Sequence, residues 1–519
     1  MYVCNQKPMR LSIVLFTATC FGVALHGQMP PGATSSGPSR AAQLPLSENV
    51  GGSVTTQQAV NPGSGPATVT SSVTVSGSYA GSVAPRTFPE GPIRVGLADA
   101  VRRGLETNLG STTATNQVAI ARSERLQSLS AMLPDISASA SETVTQVNLA
   151  AYGLTLKLPS SITGFSFPTV VGPYEYSQLQ GTLSQSIFDL VQRRNYKASK
   201  ESERAAVLSG HDARELVVLA VAGTYLQALA SEAQVASERA QVANAQAVYD
   251  QAVVRKAAGT NARIDVTRSL VELQTEQQRL TSLEADLRKQ KITLARLAGL
   301  PLGHQLILTD AFTLDEIPVP SPEQAIEKAL NTRWDLKATE AQVRAAELVV
   351  SAAKAERLPY ATLNGNYGAI GPRPDSAHGV FGVTGSVNVP LYTGGRIKAD
   401  IQQAETTLKQ RQSELADARG RVEGEVRTAL IELETAVNQL KVAATNRDYA
   451  RETLTEARDR FEAGVATTVE VVQAQEQVAT AEADYVSTLF SYNLAKLTLA
   501  RATGDAENGL PELLGGNRP

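Results

Sequence analysis

Two segments of the chain carry an apolar or aromatic residue at every seventh position, the pattern of a coiled-coil seam. The first series consists of Val266, Leu273, Leu280, Leu287 and Leu294. The second consists of Val471, Val478, Tyr485, Tyr492 and Leu499. Each member of the second series stands 205 positions after its counterpart in the first (471 minus 266). Two such series in register are far less expected by chance than one, so the pattern predicts two internal repeats.

Each seam follows a long segment of helical composition that ends at a glycine. Residues 190–255 and 397–461 contain no proline, and roughly 65 residues of helix would extend on the order of 100 Å. Gly259 and Gly464 follow these segments, and a glycine after a helix commonly forms its left-handed C-cap. The sequence therefore predicts two helical hairpins that turn at Gly259 and Gly464.

Four further segments alternate apolar or small residues with polar ones, as strands with two different faces do. The segments are ISASASETV, LQGTLSQSI, YATLNGNYGA and FGVTGSVNVP. One pair precedes each long helix, and a longer loop, residues 149–173, separates the first pair. No helix sequence is available to cover the apolar faces, so the pattern favours a transmembrane barrel over a half-buried soluble sheet. Four strands are too few to close a barrel, whereas three chains would supply twelve.

The N-terminus has the layout of a secretory signal, with basic residues, an apolar run and small residues around Ala24 and Gly27. The only cysteines, Cys4 and Cys20, lie inside it. Cys20 is either an incidental signal residue or a lipidated N-terminus of the mature chain, and cleavage after Ala24 or after Gly27 stays open. Beyond the signal no apolar run of about 18 residues occurs, so no transmembrane helix is expected.

Composition and repeat boundaries divide the chain into six segments. They are a signal peptide (1–27), a low-complexity flexible leader (28–92), a first repeat (93–300), an equatorial linker (301–321), a second repeat (322–505) and a C-terminal tail (506–519). The leader is dominated by Gly, Ser, Pro, Thr and Val with almost no charge. We assign it no fold and expect it to be dispensable for assembly.

The sequence contains few motifs that could support catalysis or metal binding. The net charge of -3 indicates no nucleic-acid partner. The four histidines, His26, His211, His304 and His378, have no metal-ligand spacing. Neither a P-loop nor a Gly-x-Ser-x-Gly motif occurs, and the acidic residues stand beside Lys and Arg on helix faces, where solvated pairs are expected. The sequence predicts no enzyme, no metal and no cofactor.

Three motifs carry a family resemblance. AKAERLPYATLNGNYG places Pro359 between a helix and a strand, as Pro134 is placed in the first half. VNVPLYTGGRIKADIQQAE places Gly394 and Gly395 between a strand and a helix, and RFEAGVATTVEVVQAQ contains the hairpin turn. Together, in this order, they resemble the helix-to-strand, strand-to-helix and periplasmic-tip motifs of the TolC-type outer-membrane efflux proteins, over about residues 93–505. In the first copy Leu190 and Val191 replace the two glycines, so that junction is expected to pack differently.

The resemblance implies a mixed α/β membrane protein. A trimeric 12-stranded transmembrane β-barrel, with four strands from each chain, would continue into a long α-helical coiled-coil barrel in the periplasm. The implied function is the outer-membrane duct of a tripartite efflux or type I secretion system. Small molecules or proteins would reach it from an inner-membrane transporter through a periplasmic adaptor, and the other partners are the homotrimer and the lipid bilayer. The cargo and the transporter class stay open.

An alternative is a non-channel periplasmic adaptor or structural coiled-coil protein. An adaptor usually carries one hairpin inserted into β-rich modules, whereas this chain has two hairpins, each preceded by strands.

The predicted tip holds the candidate site residues. Asp265 and Glu470 fall near the start of the returning helices and match acidic positions of the family's lock, while Gln473 replaces one acid and Ala466 stands at the arginine position. The carboxylates are either helix-start charges that favour the dipole or, repeated in a trimer, a constriction that favours cations. Whether the tip is closed at rest stays open.

Overall fold

The computed structural model describes most of the chain. The described residues are 52–61, 68–83, 91–153, 169–259, 262–310, 319–507 and 509. The signal peptide, most of the loop 149–173 and nearly all of the C-terminal tail lie outside them.

Eight α-helices account for most of the described residues. They are α1 (Leu97–Thr107), α2 (Leu109–Ser130), α3 (Leu190–Ala257), α4 (Arg263–Leu297), α5 (Pro322–Thr332), α6 (Trp334–Ala355), α7 (Arg396–Glu462) and α8 (Thr468–Ala502). The two halves match in helix length: 11 residues in α1 and α5, 22 in α2 and α6, 68 in α3, 67 in α7, and 35 in α4 and α8. The long helices α3 and α7 cover the two proline-free segments that the sequence predicts to be helical.

The helices pack side by side along their lengths. Helix α3 contacts α2, α4, α6 and α8, and α7 contacts α5, α6 and α8. The heptad residues face these contacts: Leu273, Leu294, Val471 and Val478 are all buried. The helical hairpins α3–α4 and α7–α8 are therefore held by the predicted seams, because each seam removes apolar side chains from water.

Helix α3 contains an apolar 18-residue window with two or fewer charged residues, which is long enough by length and composition to cross a membrane. However, 72% of that window is buried inside the protein. Val217, Val218, Val221 and Tyr225 of α3 are buried and pack in the main core cluster. A helix that is apolar all round is the type found at the centre of a helix assembly.

Eight strands form three sheets among the described residues. They are β1 (Val54–Asn61), β2 (Thr68–Val75), β3 (Ile93–Val95), β4 (Asp135–Asn148), β5 (Val170–Phe188), β6 (Leu306–Leu308), β7 (Tyr360–Gly371) and β8 (His378–Asn388). The predicted strands form one antiparallel sheet in the order β4-β5-β7-β8. Strands β3 and β6 pair in parallel, which places Ile93–Val95 beside Leu306–Leu308.

The segment 28–92 differs from its prediction, because part of it is folded. Strands β1 and β2 form an antiparallel hairpin, and a turn of 3-10 helix follows at Gly77–Ala80. Val54, Val73 and Val75 pack on the main core cluster, and Tyr79 is buried in it. Gly223 of α3 makes the contact possible, because a Cβ there would lie 2.7 Å from a methyl carbon of Val73. A flexible leader is therefore wrong for residues 52–61 and 68–83.

Candidate functional site

The four-stranded sheet has one apolar face. Cross-strand register places Ile136 opposite Leu183, Leu183 opposite Gly365, and Gly365 opposite Val383. On the same face, Tyr367 lies directly opposite Phe381. Phe381 is 80% exposed and Tyr367 is 74% exposed, so this apolar surface is not covered by the chain's own helices. A surface of this composition is suited to lipid rather than to water.

The opposite face of the sheet is polar and hydrogen-bonded across strands. The hydroxyls of Ser137 and Thr182 lie 2.7 Å apart, and Ser184 donates to the side-chain oxygen of Asn364 at 3.0 Å. Strands β4 and β8 form the two edges of the sheet, and neither outer edge pairs with another described strand. An edge of unpaired backbone groups is a template for pairing with another chain.

The two strand-to-helix junctions use different chemistry. Gly394 (φ 61°) and Gly395 (φ 89°) both adopt left-handed conformations, and Gly395 is the N-cap of α7. In the first half Asp189 caps α3 instead, because its carboxylate accepts from the backbone N–H of Val191 at 2.9 Å and of Gln192 at 3.2 Å. The expected difference between the junctions is thus a glycine turn in one and an aspartate cap in the other.

The helix-to-strand junctions lie where the prolines predict them. Helix α2 ends at Ser130 and β4 begins directly after Pro134, and α6 ends at Ala355 and β7 begins directly after Pro359. Proline cannot continue a helix and it restricts the residue before it to extended conformations. Proline therefore separates the helical region from the sheet region in each half of the chain.

An ion pair at the second junction was not predicted. Arg396, the first residue of α7, contacts Glu356 and Asp400, each at 2.8 Å. Glu356 follows α6 and is buried. The pair thus joins the end of α6 to the start of α7. The two residues are 40 positions apart, so periodicity alone carried no signal for it.

The predicted hairpin turns are present at the far end of the helices. Gly259 (φ 78°) and Gly464 (φ 77°) are left-handed, and each follows the C-cap of a long helix. Nothing lies within 4 Å of a Cβ built at either position, so the requirement for glycine comes from the backbone conformation and not from crowding.

The carboxylate of Glu470 has local partners. It accepts from the backbone N–H of Thr467 at 3.3 Å and closes a capping box at the start of α8. Its other oxygen lies 3.6 Å from a guanidinium nitrogen of Arg460. Asp265 lies in the first turn of α4, and Gln473 is exposed on α8. Within one chain, the described contacts of Glu470 do not bring it to Asp265 or Gln473.

A second tip contact joins the two hairpins and was missed by the sequence analysis. Arg255 of α3 donates to the carbonyl oxygen of Phe461 at 3.0 Å, and its guanidinium lies 4.1 Å from the centre of the Phe461 ring. Phe461 is buried in a cluster with Val248, Leu454 and Val471. The end of the first hairpin is therefore fixed to the end of the second by an apolar cluster and a cation–π contact.

A buried charge network lies at the other end of the hairpins. Arg333, between α5 and α6, is 2% exposed, contacts Asp335 at 2.7 Å and also pairs with Glu425 of α7. Burial alone would raise the pKa of Asp335, but hydrogen bonding and the charge of Arg333 hold that pKa below its ordinary value.

Arg501 extends this network towards α3. It lies 2.5 Å from Asp212 and 3.2 Å from Glu215, both on α3. Burial raises the pKa of Glu215 to about 7, against the opposing charge of Arg501. Beside the network, the ring of Trp334 stacks on His211 with centroids 4.7 Å apart. The network thus connects α3, α6, α7 and α8.

The chain resembles known proteins over most of its length. The family model described as outer membrane efflux protein matches residues 112–300 and 325–505. The pyoverdine export outer membrane protein OpmQ of Pseudomonas putida is 27% identical over 300 residues, 55% of this chain and 61% of OpmQ. The outer membrane efflux protein BepC of Brucella suis is 29% identical over 415 residues, 71% of this chain and 87% of BepC.

Solved structures agree at the level of the fold. The Campylobacter jejuni CmeC outer membrane channel superposes with a TM-score of 0.68 at 18% identity, covering 81% of this chain and 89% of that one. The matched structure is described as an outer membrane channel, in agreement with the family description.

Proposed function

The chain belongs to the outer membrane efflux protein family, and on that premise we propose that three copies form a continuous duct from the periplasm through the outer membrane. The protein is located in the outer membrane with a large periplasmic portion. In the proposed trimer, each chain contributes β4, β5, β7 and β8 to a 12-stranded barrel. The observation that carries the proposal is the sheet with an exposed apolar face, a polar face and two edges that pair with no other described strand.

The proposed assembly follows from the edges of the sheet. The outer edge of β8 in one copy would pair with the outer edge of β4 in the next, and three repetitions would close the ring. The polar face with Ser137, Thr182 and Asn364 would then line the lumen, and the face with Tyr367 and Phe381 would contact lipid. The hairpins α3–α4 and α7–α8 would continue the wall into the periplasm.

We further propose the partners. A periplasmic adaptor would bind the helical hairpins, and an inner-membrane transporter would supply the cargo in a tripartite efflux or type I secretion system. Transport through the duct itself would be passive. A non-channel adaptor or structural coiled-coil protein is the alternative function. The amphipathic sheet, whose outer edges pair with no other strand in the described part of the chain, argues against it.

The first prediction tests the assembly. Detergent-extracted protein is expected to appear mainly as a trimer in native mass spectrometry, and the same material is expected to give discrete conductance steps in planar bilayers. Four strands per chain are too few for a barrel, so a stable monomer or dimer as the main species would contradict the proposal. A trimer that never conducts would instead support a structural role.

The second prediction concerns the tip carboxylates, whose role as a constriction remains a proposal. Glu470→Gln keeps the length needed for the capping box, since glutamine also serves at that position, but it removes the charge paired with Arg460. We expect lower cation selectivity of single channels in Glu470→Gln, and a further decrease when Asp265→Asn is added, with the trimer intact. Glu462→Gln, an exposed charge at the end of α7, is the matched control. Selectivity equal to wild type in all variants would identify the two acids as helix-start charges.

A further inference from the structure

Two glutamates face each other inside the first hairpin. Glu238 of α3 and Glu276 of α4 are 6% and 5% exposed. Glu276 stands three positions after the seam residue Leu273, the place that Leu283 and Leu297 occupy in later heptads. A carboxyl group therefore takes an apolar seam position, where burying a charge is costly.

The second hairpin provides an internal comparison. At the repeat offset of 205 positions, the counterparts of Glu238 and Glu276 are Ala443 and Ala481. Ala443 is buried, and the seam of α7 and α8 has no carboxyl pair at this level. The glutamate pair is thus a feature of α3–α4 alone and not a requirement of hairpin packing.

The carboxyl oxygens of the pair are incompletely satisfied. Oε1 of Glu238 and Oε2 of Glu276 are buried and have no hydrogen-bond partner. Arg279 is the nearest cation, but its guanidinium lies 3.9 Å from each carboxylate, which is too far for a hydrogen bond. Two ionised carboxylates in this position would repel each other, so the arrangement favours a shared proton.

The surroundings make retention of that proton easier. Burial, then the hydrogen bond and the charge of Glu276, raise the pKa of Glu238, while Arg279 opposes the shift. Burial, followed by Glu276 and by Glu476 of α8, raises the pKa of Glu272 to about 7. No group of three or more His, Cys, Asp and Glu side chains in the described part of the chain is arranged to hold a metal ion. A proton shared by Glu238 and Glu276 would relieve the repulsion between their buried carboxylates.

We propose that Glu238 and Glu276 form a proton-operated clamp that holds α4 against α3. With a proton bound, the two carboxyl groups form one hydrogen-bonded unit that carries a single negative charge instead of two. When the proton leaves, the carboxylates of Glu238 and Glu276 repel each other, and Arg279 is the one described cation within 4 Å of both. Helix α4 then separates from α3. The α7–α8 seam, which has Ala443 and Ala481 at the equivalent positions, does not respond.

The direction of the pH dependence follows from linkage. The folded protein retains this proton to higher pH than the unfolded chain does, so it binds more protons between the ordinary glutamate value of 4.5 and the raised folded value. The hairpin is therefore most stable under acidic conditions and loses stability as the pH rises through neutrality. A change of conductance with pH would depend on the proposed duct, whereas the clamp between α3 and α4 does not depend on it.

The third prediction tests the clamp by hydrogen exchange of the full chain in detergent, measured at about pH 6 and about pH 8.5 and corrected for intrinsic exchange. In the wild type, peptides from the middle of α4 are expected to exchange about tenfold faster or more at the higher pH, the change that one unit of pKa shift produces. Peptides around Ala443 and Ala481 should stay unchanged. In the Glu238→Gln, Glu276→Gln double variant the pH response of α4 should disappear.

Two further variants serve as controls for this experiment. Glu238→Ala with Glu276→Ala copies the second hairpin, so it supplies a pair already compatible with this seam if the glutamine variant folds poorly. Glu215→Gln removes a different titratable group of α3 and should leave the α4 response intact. The clamp proposal is wrong if hydrogen exchange of α4 still depends on pH after both glutamates are replaced. It is also wrong if the second hairpin shows an equal dependence on pH. Channel recordings are not needed, so failure of the duct proposal would remain distinguishable.

Discussion

Replacing Arg333 by alanine is expected to lower the free energy of unfolding by about 3–5 kcal/mol, the range for removing one partner of a buried ion pair. Arg333 is 2% exposed and contacts both Asp335 and Glu425. Its loss would leave Asp335, which is itself largely buried, without its closest counter-charge. The contact between the α5–α6 connection and α7 would weaken with it.

Arg421→Ala is the matched control for Arg333→Ala. Arg421 pairs with the same two carboxylates, at 3.5 Å to Asp335 and 3.2 Å to Glu425, but its side chain is 50% exposed. Exposed ion pairs contribute about 0–1 kcal/mol, so the control should be nearly neutral. Thermal melting followed by circular dichroism compares the variants. If both variants lose the same free energy of unfolding, the burial of Arg333 adds nothing to the effect of its charge.

The second large effect is expected in the N-terminal hairpin. Val73→Asp would place a carboxylate against Gly223 and the main core, and the hairpin would detach because an unpaired charge cannot remain there. Val54, Val73 and Val75 would lose their contacts together. At roughly 1 kcal/mol for each half-buried valine, the free energy of unfolding should fall by about 3 kcal/mol.

Thr74→Asp is the control for this hairpin, because Thr74 is the exposed neighbour of Val73 on the same strand. Limited proteolysis provides the measurement: cleavage in residues 52–83 should become rapid in Val73→Asp and stay slow in Thr74→Asp and in wild type. Rapid cleavage in all three would show that the hairpin is not bound to the helices in solution, and would restore the flexible leader that composition predicts.

The sequence could not predict this hairpin, for identifiable reasons. Residues 52–83 are rich in Ser, Thr, Gly and Val, a composition shared by flexible linkers and by short strands. An isolated two-stranded hairpin is marginally stable at best. What stabilises this one is the surface of α3, where Gly223 lets Val73 approach. That contact spans 150 positions (223 minus 73), so no local pattern reports it.

At the hairpin tips, too, some features depend on local sequence and others on contacts between distant residues. Gly259 and Gly464 both adopt left-handed conformations, and a left-handed C-cap is a local property of the backbone that a glycine can indicate. The contact of Arg255 with Phe461 joins residues 206 positions apart, and only the packing of the two hairpins brings them together. Glu470 was predicted as a helix-start acid, and its capping box is equally local.

The sequence by itself determined the features that repeat at short range. Heptad spacing specified two hairpins, alternation specified four strands with distinct faces, and proline and glycine placed the junctions and turns, because each depends on residues only a few positions apart. Only the tertiary structure decided which side chains are buried away from water. It buried Arg333, set Glu238 against Glu276, and covered the core with β1 and β2. Burial sets the strength of a charge pair and the pKa of an acid, and it depends on neighbours from distant parts of the chain.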